Sequence, residues 1–139
     1  MKALAVITAR GGSKRIPRKN IKPFLGKPII EYSIDAALES GIFEEVMVST
    51  DDAEIVEISE AAGAQVPFLR SEKTSNDYAT TLDVLLEVVE EYEKRGQHFD
   101  YLCCMYPTAP FVTASAIRTA MDTLVKENAD TVFPVVKFS

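Results

Sequence analysis

The sequence predicts an α/β fold of three layers with a mostly parallel sheet. Two observations predict it. Short apolar runs rich in β-branched residues recur along the 139 residues, and amphipathic helical patterns fill the gaps between them. Strands that alternate with helices of about ten residues or more form parallel pairs joined by crossover connections, which puts helices on both faces of the sheet. We therefore expect one domain over residues 1–139.

The predicted strands are apolar runs with few charges. They span Ala3–Thr8, Glu45–Ser49, Gln65–Phe68, Tyr101–Tyr106 and Thr131–Val136, the third being the shortest. The last run ends almost where the sequence ends, although a sheet would normally continue beyond such a strand. We therefore expect the chain to be truncated relative to a longer protein, the alternative being a short final edge strand.

Four helices are predicted from their apolar spacing and their start and stop signals. The first has a proline in its first turn, and the first two end before glycines. The third, which is the longest, has Asn76 or Asp77 as its N-cap, and Thr113 caps the fourth. The four spans are Pro28–Ser40, Asp52–Ala62, Tyr78–Lys94 and Ala114–Asn128, and the predicted buried stripe of the third helix is Leu82, Leu85, Leu86 and Val89.

Composition excludes several classes of protein. With 47% hydrophobic and 26% charged residues, the chain is too apolar to be disordered, and it has no apolar stretch long enough to span a membrane. Its two cysteines, Cys103 and Cys104, are adjacent in a predicted strand and so point to opposite faces. This arrangement excludes a disulfide framework and favours a reducing cytoplasm.

The charges are segregated along the chain. Residues 1–30 hold eight of the 15 basic residues and none of the 21 acidic ones, although the net charge is −6. Cations concentrated beside Gly11 and Gly12 indicate a compact anion such as a polyphosphate, because the glycines let backbone N–H groups approach it. A solvated basic loop is the simpler alternative. A nucleic-acid surface is disfavoured, since the acidic remainder would repel an extended phosphate backbone.

Three polar turns follow three of the predicted strands. They are the basic segment after the first strand, Ser49–Asp52 after the second and Pro107–Pro110 after the Tyr101–Tyr106 strand. Ligands of parallel α/β sheets bind at the carboxyl ends of the strands. We therefore expect the three turns to meet at one rim and to form the binding site.

Four motifs, the first of them in two parts, resemble the acylneuraminate cytidylyltransferases in the same order along the chain. Residues 9–20 read ARGGSKRIPRKN and residues 24–28 FLGKP, followed by VSTDD at 48–52, VPFLR at 66–70 and PTAP at 107–110. The Walker A and GxGxxG spacings are absent. The RKNI stretch distinguishes the chain from the related Kdo cytidylyltransferases, and YLCCMYPTAPF at 101–111 is most similar to the branch that uses pseudaminic acid. The resemblance implies a Rossmann-like nucleotidyltransferase fold.

The same resemblance implies the site residues. Ala9, Arg10, Gly11, Gly12 and Ser13 would form the phosphate loop, and Lys19 and Arg10 would act on the CTP phosphates during catalysis. Asn20 would meet the ribose, Arg70 the cytosine edge, Thr81 the nucleotide and Tyr106 the sugar, where sialic-acid enzymes typically have glutamine. Taken without the motifs, Arg70 would be a surface arginine and Tyr106 a buried tyrosine at the end of a strand.

The implied reaction joins CTP to a nine-carbon 2-keto sugar acid, giving a CMP-sugar and pyrophosphate. CMP-pseudaminic acid is the favoured product, with CMP-N-acetylneuraminate or CMP-legionaminate as alternatives, and an inactive truncated nucleotide-binding domain as a third. The cofactor would be Mg²⁺, whose aspartate ligands in the family lie beyond this sequence, so no residue of this chain is assigned to metal. The full-length protein would be a homodimer in the cytoplasm, without nucleic-acid or membrane partners.

Three other features of the sequence are weaker signals of function, and each has a simpler structural explanation. Asp51 and Asp52 have the chemistry of metal ligands, but an N-cap for the second helix explains Asp52 at least as well. His98 has no partner at a spacing that a zinc site or a catalytic triad needs. The run from Glu87 to Arg95 is most simply a solvated helix face.

Overall fold

The structure is a computed structural model that describes residues 2–10, 18–76 and 78–132. In chain order its elements are β1 (Ala3–Thr8), a 3₁₀ turn (Lys19–Ile21), β2 (Pro23–Phe24), β3 (Lys27–Pro28), α1 (Ile30–Ser40), β4 (Glu45–Ser49), α2 (Ala53–Ala61), α3 (Glu72–Ser75), α4 (Thr81–Lys94), β5 (Tyr101–Met105) and α5 (Ala114–Lys126). The predicted final strand, Thr131–Val136, falls mostly outside the described residues, and Thr131 and Val132 are not in a strand.

The main sheet is parallel, with β1 between β4 and β5. Leu4 of β1 lies opposite Glu45 of β4 and Leu102 of β5. The predicted strand Gln65–Phe68 is reduced to a single parallel bridge, in which the Gln65 N–H donates to Val46 at 2.8 Å. Pro67 stands where the next N–H of a parallel ladder would be required, and a proline has none to donate.

Side chains of β1 alternate between two cores, one on each face of the sheet. Ala5 and Ile7 pack with residues of α1, α2 and α5. Leu4 and Val6 pack on the other face with residues of α4. The predicted three layers, with helices on both faces of a parallel sheet, are therefore confirmed.

The predicted buried stripe of the long helix α4 is wrong. Its buried residues are Val84, Val88 and Tyr92, whereas Leu82, Leu86 and Val89 are exposed and Leu85 is half-buried. The Tyr92 ring packs edge-on against Phe68 and Phe99, with centroids 5.5 and 5.2 Å away. This aromatic cluster and the β1 side chains set the rotation of the helix. Leucine spacing alone did not predict it, because apolar residues cover more than one face of α4.

Several helix ends also differ from those predicted. α4 begins at Thr81 because Thr80 caps it and forms a capping box with Asp83. Asn76 is not the cap, since its side chain accepts instead from the N–H groups of Tyr78 and Ala79 at 2.8 and 2.9 Å. Asp77 lies outside the described residues. The predicted caps of α2 and α5 are confirmed, whereas Pro28 belongs to β3 and not to α1.

Candidate functional site

A cleft of about 240 Å³ opens at the carboxyl ends of the parallel strands. Thr8 ends β1, and Tyr106 to Thr108 follow β5 directly. The predicted turn Ser49–Asp52 contributes no residue to the described lining, and β4 is connected to the cleft only through Arg70, which is hydrogen-bonded to Ser49. The lining residues are Thr8, Arg10, Lys19, Asn20, Arg70, Thr74, Asn76, Ala79, Thr80, Thr81, Val84, Tyr106, Pro107 and Thr108.

Six of the predicted site residues line this cleft: Arg10, Lys19, Asn20, Arg70, Thr81 and Tyr106. The side chain of Ala9 lies in the core, and its N–H donates to the Ser49 carbonyl at 2.9 Å. Gly11, Gly12 and Ser13 lie outside the described residues. The individual roles of these residues stay predictions, but three cations share the cleft and no carboxylate is among its described lining. The cleft is therefore suited to an anion.

Arg70 is held inside the protein, contrary to the expectation for an isolated arginine after a Pro-Phe turn. Its side chain donates through Nε to Ser49 Oγ at 3.2 Å, through Nη2 to the Ser49 carbonyl at 3.0 Å and through Nη1 to the Thr74 carbonyl at 3.3 Å. Only 8% of the residue is exposed. Burial lowers the pKa of Arg70, while the nearby carboxylates of Asp51 and Glu87 act in the opposite direction. The guanidinium is thus fixed before any ligand binds.

Lys19 and Asn20 enter the cleft from the 3₁₀ turn. Asn20 is buried, and its Nδ2 donates to the Arg10 carbonyl at 2.7 Å. This hydrogen bond joins the 3₁₀ turn to Arg10, the second residue after the end of β1. Lys19, between Arg18 and Asn20, is exposed and lines the cleft.

Tyr106 and Thr81 face each other across the cleft. The Tyr106 hydroxyl lies 3.3 Å from Thr81 Oγ1, and either oxygen has the hydrogen to donate. Tyr106 is 56% exposed, so the alternative of a buried tyrosine at the end of β5 is wrong. β5 ends one residue earlier than predicted, at Met105. The phenol is therefore available to a ligand in the cleft.

The start of α4 forms a wall that the sequence reasoning missed. Asn76, Ala79 and Thr80 all line the cleft. The first N–H groups of a helix have no partners within the helix and attract anions. The Thr80-x-x-Asp83 capping box is the sequence signal that would have placed the helix start at Thr80, and the structure shows that Thr80 lines the cleft.

Asp52 is committed to structure rather than to a metal. Its Oδ1 accepts from the N–H groups of Glu54 and Ile55 at 2.9 and 3.0 Å, which caps α2 as predicted. Both carboxylate oxygens also accept from the Arg18 guanidinium. These contacts, above all the one to Arg18, hold the pKa of Asp52 down at about 2. Arg18 is one of the eight N-terminal cations, so its charge is already offset within the protein.

Glu87 does not belong to a solvated helix face, although the sequence suggested one. It is half-buried, and it accepts from the Ser71 N–H at 3.0 Å and from Thr74 Oγ1 at 2.8 Å, in addition to the Ser71 hydroxyl. These bonds tie α3 to α4. Since Thr74 also accepts from Arg70, Glu87 helps to fix the wall on which Arg70 lies.

Metal and thiol chemistry find little support in the described part of the chain. No group of three or more His, Cys, Asp or Glu side chains there is placed to hold a metal ion. Cys103 and Cys104 are free, and burial raises the pKa of Cys103 to about 11, so its thiol stays protonated at neutral pH. None of the described helices is long and apolar enough to cross a membrane.

The fold is that of a nucleotidyltransferase-type α/β domain, with a cleft suited to an anion at the carboxyl ends of its strands. The structure is similar to a CMP:2-keto-3-deoxy-manno-octonic acid synthetase complexed with CTP, with a TM-score of 0.77 and 28% identity, over 93% of this chain and 49% of that one. The chain belongs to the cytidylyltransferase family, whose profile matches residues 4–139.

Two relatives indicate the branch of the family. A pseudaminic acid cytidylyltransferase of Campylobacter jejuni is 45% identical over 99% of this chain and 60% of its own length. A CMP-N,N'-diacetyllegionaminic acid synthase of Legionella pneumophila is 39% identical over 88% of this chain and 53% of its own length. The predicted family is thus confirmed, and the chain spans little more than half the length of these relatives.

Proposed function

We propose that this chain is the CTP-binding part of a cytidylyltransferase that makes CMP-pseudaminic acid. The observation that carries the proposal is the cleft itself, where Arg10, Lys19 and Arg70 converge at the carboxyl ends of the strands. A triphosphate needs such a cluster of cations, and a cytosine needs a fixed donor such as Arg70. The 45% identity to an enzyme named for pseudaminic acid supports the choice of sugar.

In the proposed reaction, the anomeric hydroxyl oxygen of the sugar acid attacks the α-phosphorus of CTP. A new P–O bond forms to the sugar, the bond from the α-phosphorus to the bridging oxygen breaks, pyrophosphate leaves, and the hydroxyl proton passes to solvent. Lys19 and Arg10 would offset the negative charge that grows on the phosphate oxygens, and Asn20 and Thr81 would orient the nucleoside. Removing one such charge contact typically costs about a hundredfold in rate.

Mg²⁺ belongs to the proposal only as a cofactor of the whole protein. The described lining of the cleft offers three cations and no carboxylate, which is the wrong donor set for a hard divalent ion. These residues therefore do not fit a protein-held Mg²⁺ site, and no step above passes through the metal. The cytoplasmic location and the homodimer also stay proposals, the first supported by two cysteines that are unpaired.

The test is a calorimetric titration of CTP into the 139-residue chain, with ATP and UTP as controls and with and without Mg²⁺. We expect selective CTP binding. Equal affinity for the three nucleotides, or none for CTP, would contradict the proposal. Release of pyrophosphate from CTP and a sugar acid then distinguishes an active enzyme from a domain that only binds nucleotide.

A second sugar remains a candidate because relatives named for legionaminic and neuraminic acids are 39% and 38% identical. Competition among the three free sugar acids separates these possibilities. We expect pseudaminic acid to be preferred and Tyr106→Gln to weaken that preference, because the amide replaces a phenol that lines the cleft. An unchanged preference in this variant would remove Tyr106 from the sugar site.

A further inference from the structure

Arg18 belongs to the basic segment, but its guanidinium pairs with carboxylates and does not line the cleft. Its Nη2 donates to Asp52 Oδ1 at 2.8 Å and to Glu54 Oε2 at 2.9 Å, and its Nη1 pairs with the second Asp52 oxygen. The side chains of Arg18 and Asp52 are 39% and 20% exposed. A bidentate pair of this kind fixes orientation as well as charge. It joins the chain before the 3₁₀ turn to the first turn of α2.

The residues on both sides of Lys19 are therefore anchored to different parts of the fold. Arg18 is held by α2, and Asn20 is held by the carbonyl of Arg10 at 2.7 Å. The Arg18 carbonyl also accepts from the Ile21 N–H at 3.1 Å, which starts the turn. Arg18 itself has a left-handed backbone, with φ at 56°, an unfavourable conformation for a residue other than glycine. The ion pair contributes to holding it there.

We propose that Arg18 and Asp52 form a positioning pair that sets the direction of Lys19 and Asn20 in the cleft. The pair does not touch the nucleotide and is not catalytic. Its role rests on the proposed function, since it acts on CTP binding through the turn. Because two carboxylates offset the Arg18 charge, the pair acts by geometry and not by adding to the positive field of the cleft.

The direction in which one substitution changes CTP affinity distinguishes a geometric role of the pair from an electrostatic one. Asp52→Asn removes a negative charge beside the turn that carries Lys19, so a purely electrostatic effect would tighten CTP binding. Asparagine caps helices as well as aspartate does, so α2 is retained. If the pair positions Lys19, CTP binding by calorimetry instead weakens, by up to about fivefold, which is the upper end of what a partly exposed ion pair contributes. Unchanged or tighter binding overturns the proposal, as does a lower melting temperature at unchanged affinity.

Arg18→Gln tests the same pair from the other side. We expect a similar loss of CTP affinity, and no additional loss in the double variant, because residues of one interacting pair are not additive. Lys22→Gln is the matched control: Lys22 is exposed, lies in the same segment and does not line the cleft. A control that weakens binding as much as Arg18→Gln, or a fully additive double variant, overturns the pair.

Hydrogen exchange separates this proposal from the proposed function. In the protein without nucleotide, the Ile21 N–H donates to Arg18 at the start of the turn. Both variants should exchange this amide several-fold faster, while core amides of β1 stay protected. Unchanged exchange at Ile21 refutes the positioning pair even if CTP binds. Faster exchange at Ile21 in variants of a protein that binds no CTP would support the positioning pair and would contradict only the proposed nucleotide site.

Discussion

Replacing Arg70 by lysine should destabilise the protein although the charge is kept. Arg70 makes three hydrogen bonds from one planar group, two to Ser49 and one to the Thr74 carbonyl, and is 8% exposed. A lysine ammonium is a single point and does not reach both residues with the same geometry. At least one bond from a charged donor is lost, and a buried acceptor is left unpaired. The expected loss in the free energy of unfolding is about 2–4 kcal/mol.

The assay is urea unfolding followed by far-UV circular dichroism or tyrosine fluorescence, since the chain has five tyrosines and no tryptophan. Arg118→Lys is the matched control. Arg118 is exposed, and its bonds to the carbonyls of Glu39 and Ser40 are 3.4 Å long, so its replacement should change stability by no more than about 0.5 kcal/mol. If Arg70→Lys is as stable as the control variant, the three hydrogen bonds do not hold Arg70 in place.

Three further predictions follow from the site and its supports. Lys19→Ala should lower CTP turnover about a hundredfold in an active form of the protein while leaving the melting temperature unchanged, because Lys19 is exposed; near-normal turnover would refute its role. The stabilisation from Asp52, whose pKa is lowered to about 2, is present above its unfolded pKa of about 4 and is lost as the pH falls through about 2. The difference in unfolding free energy between the wild type and Asp52→Asn should therefore shrink between these two pH values, and a constant difference from pH 5 to pH 2 would contradict the ion pair. Thr80→Ala should cost about 1 kcal/mol by removing the cap of α4, measured by thermal unfolding, whereas exposed Thr119→Ala serves as the control and should cost less.

Local signals predicted most of the elements. The helix stops at Gly41 and Gly63 adopt positive φ, and the caps at Asp52 and Thr113 form as expected, because these signals act within a few residues of one another. The prediction of a strand at Gln65–Phe68 was wrong for an equally local reason, because Pro67 has no N–H to donate. Pro67 alone was therefore enough to predict that the strand would not continue, because proline cannot donate to the hydrogen-bond ladder of a sheet.

Long-range partners were not predicted. The Arg18–Asp52 pair joins residues 34 positions apart, and Tyr92 meets Glu45 across 47 positions. Nothing in the spacing of such residues indicates that they meet. The same holds for Glu87, which lies in a charge-rich run and was predicted to be solvated, although it accepts hydrogen bonds from Ser71 and Thr74.

By itself, the sequence determined the α/β class, the alternation of strands and helices, the rim at which the site lies and the family, since periodicity and ordered motifs are properties of the chain. Only the tertiary structure decided which face of α4 is buried, that Arg70 is an internal donor and Tyr106 an exposed one, and that Arg18 is neutralised by α2. The physical reason is that burial and pairing depend on which elements pack together, and that is settled by the whole core rather than by any one segment.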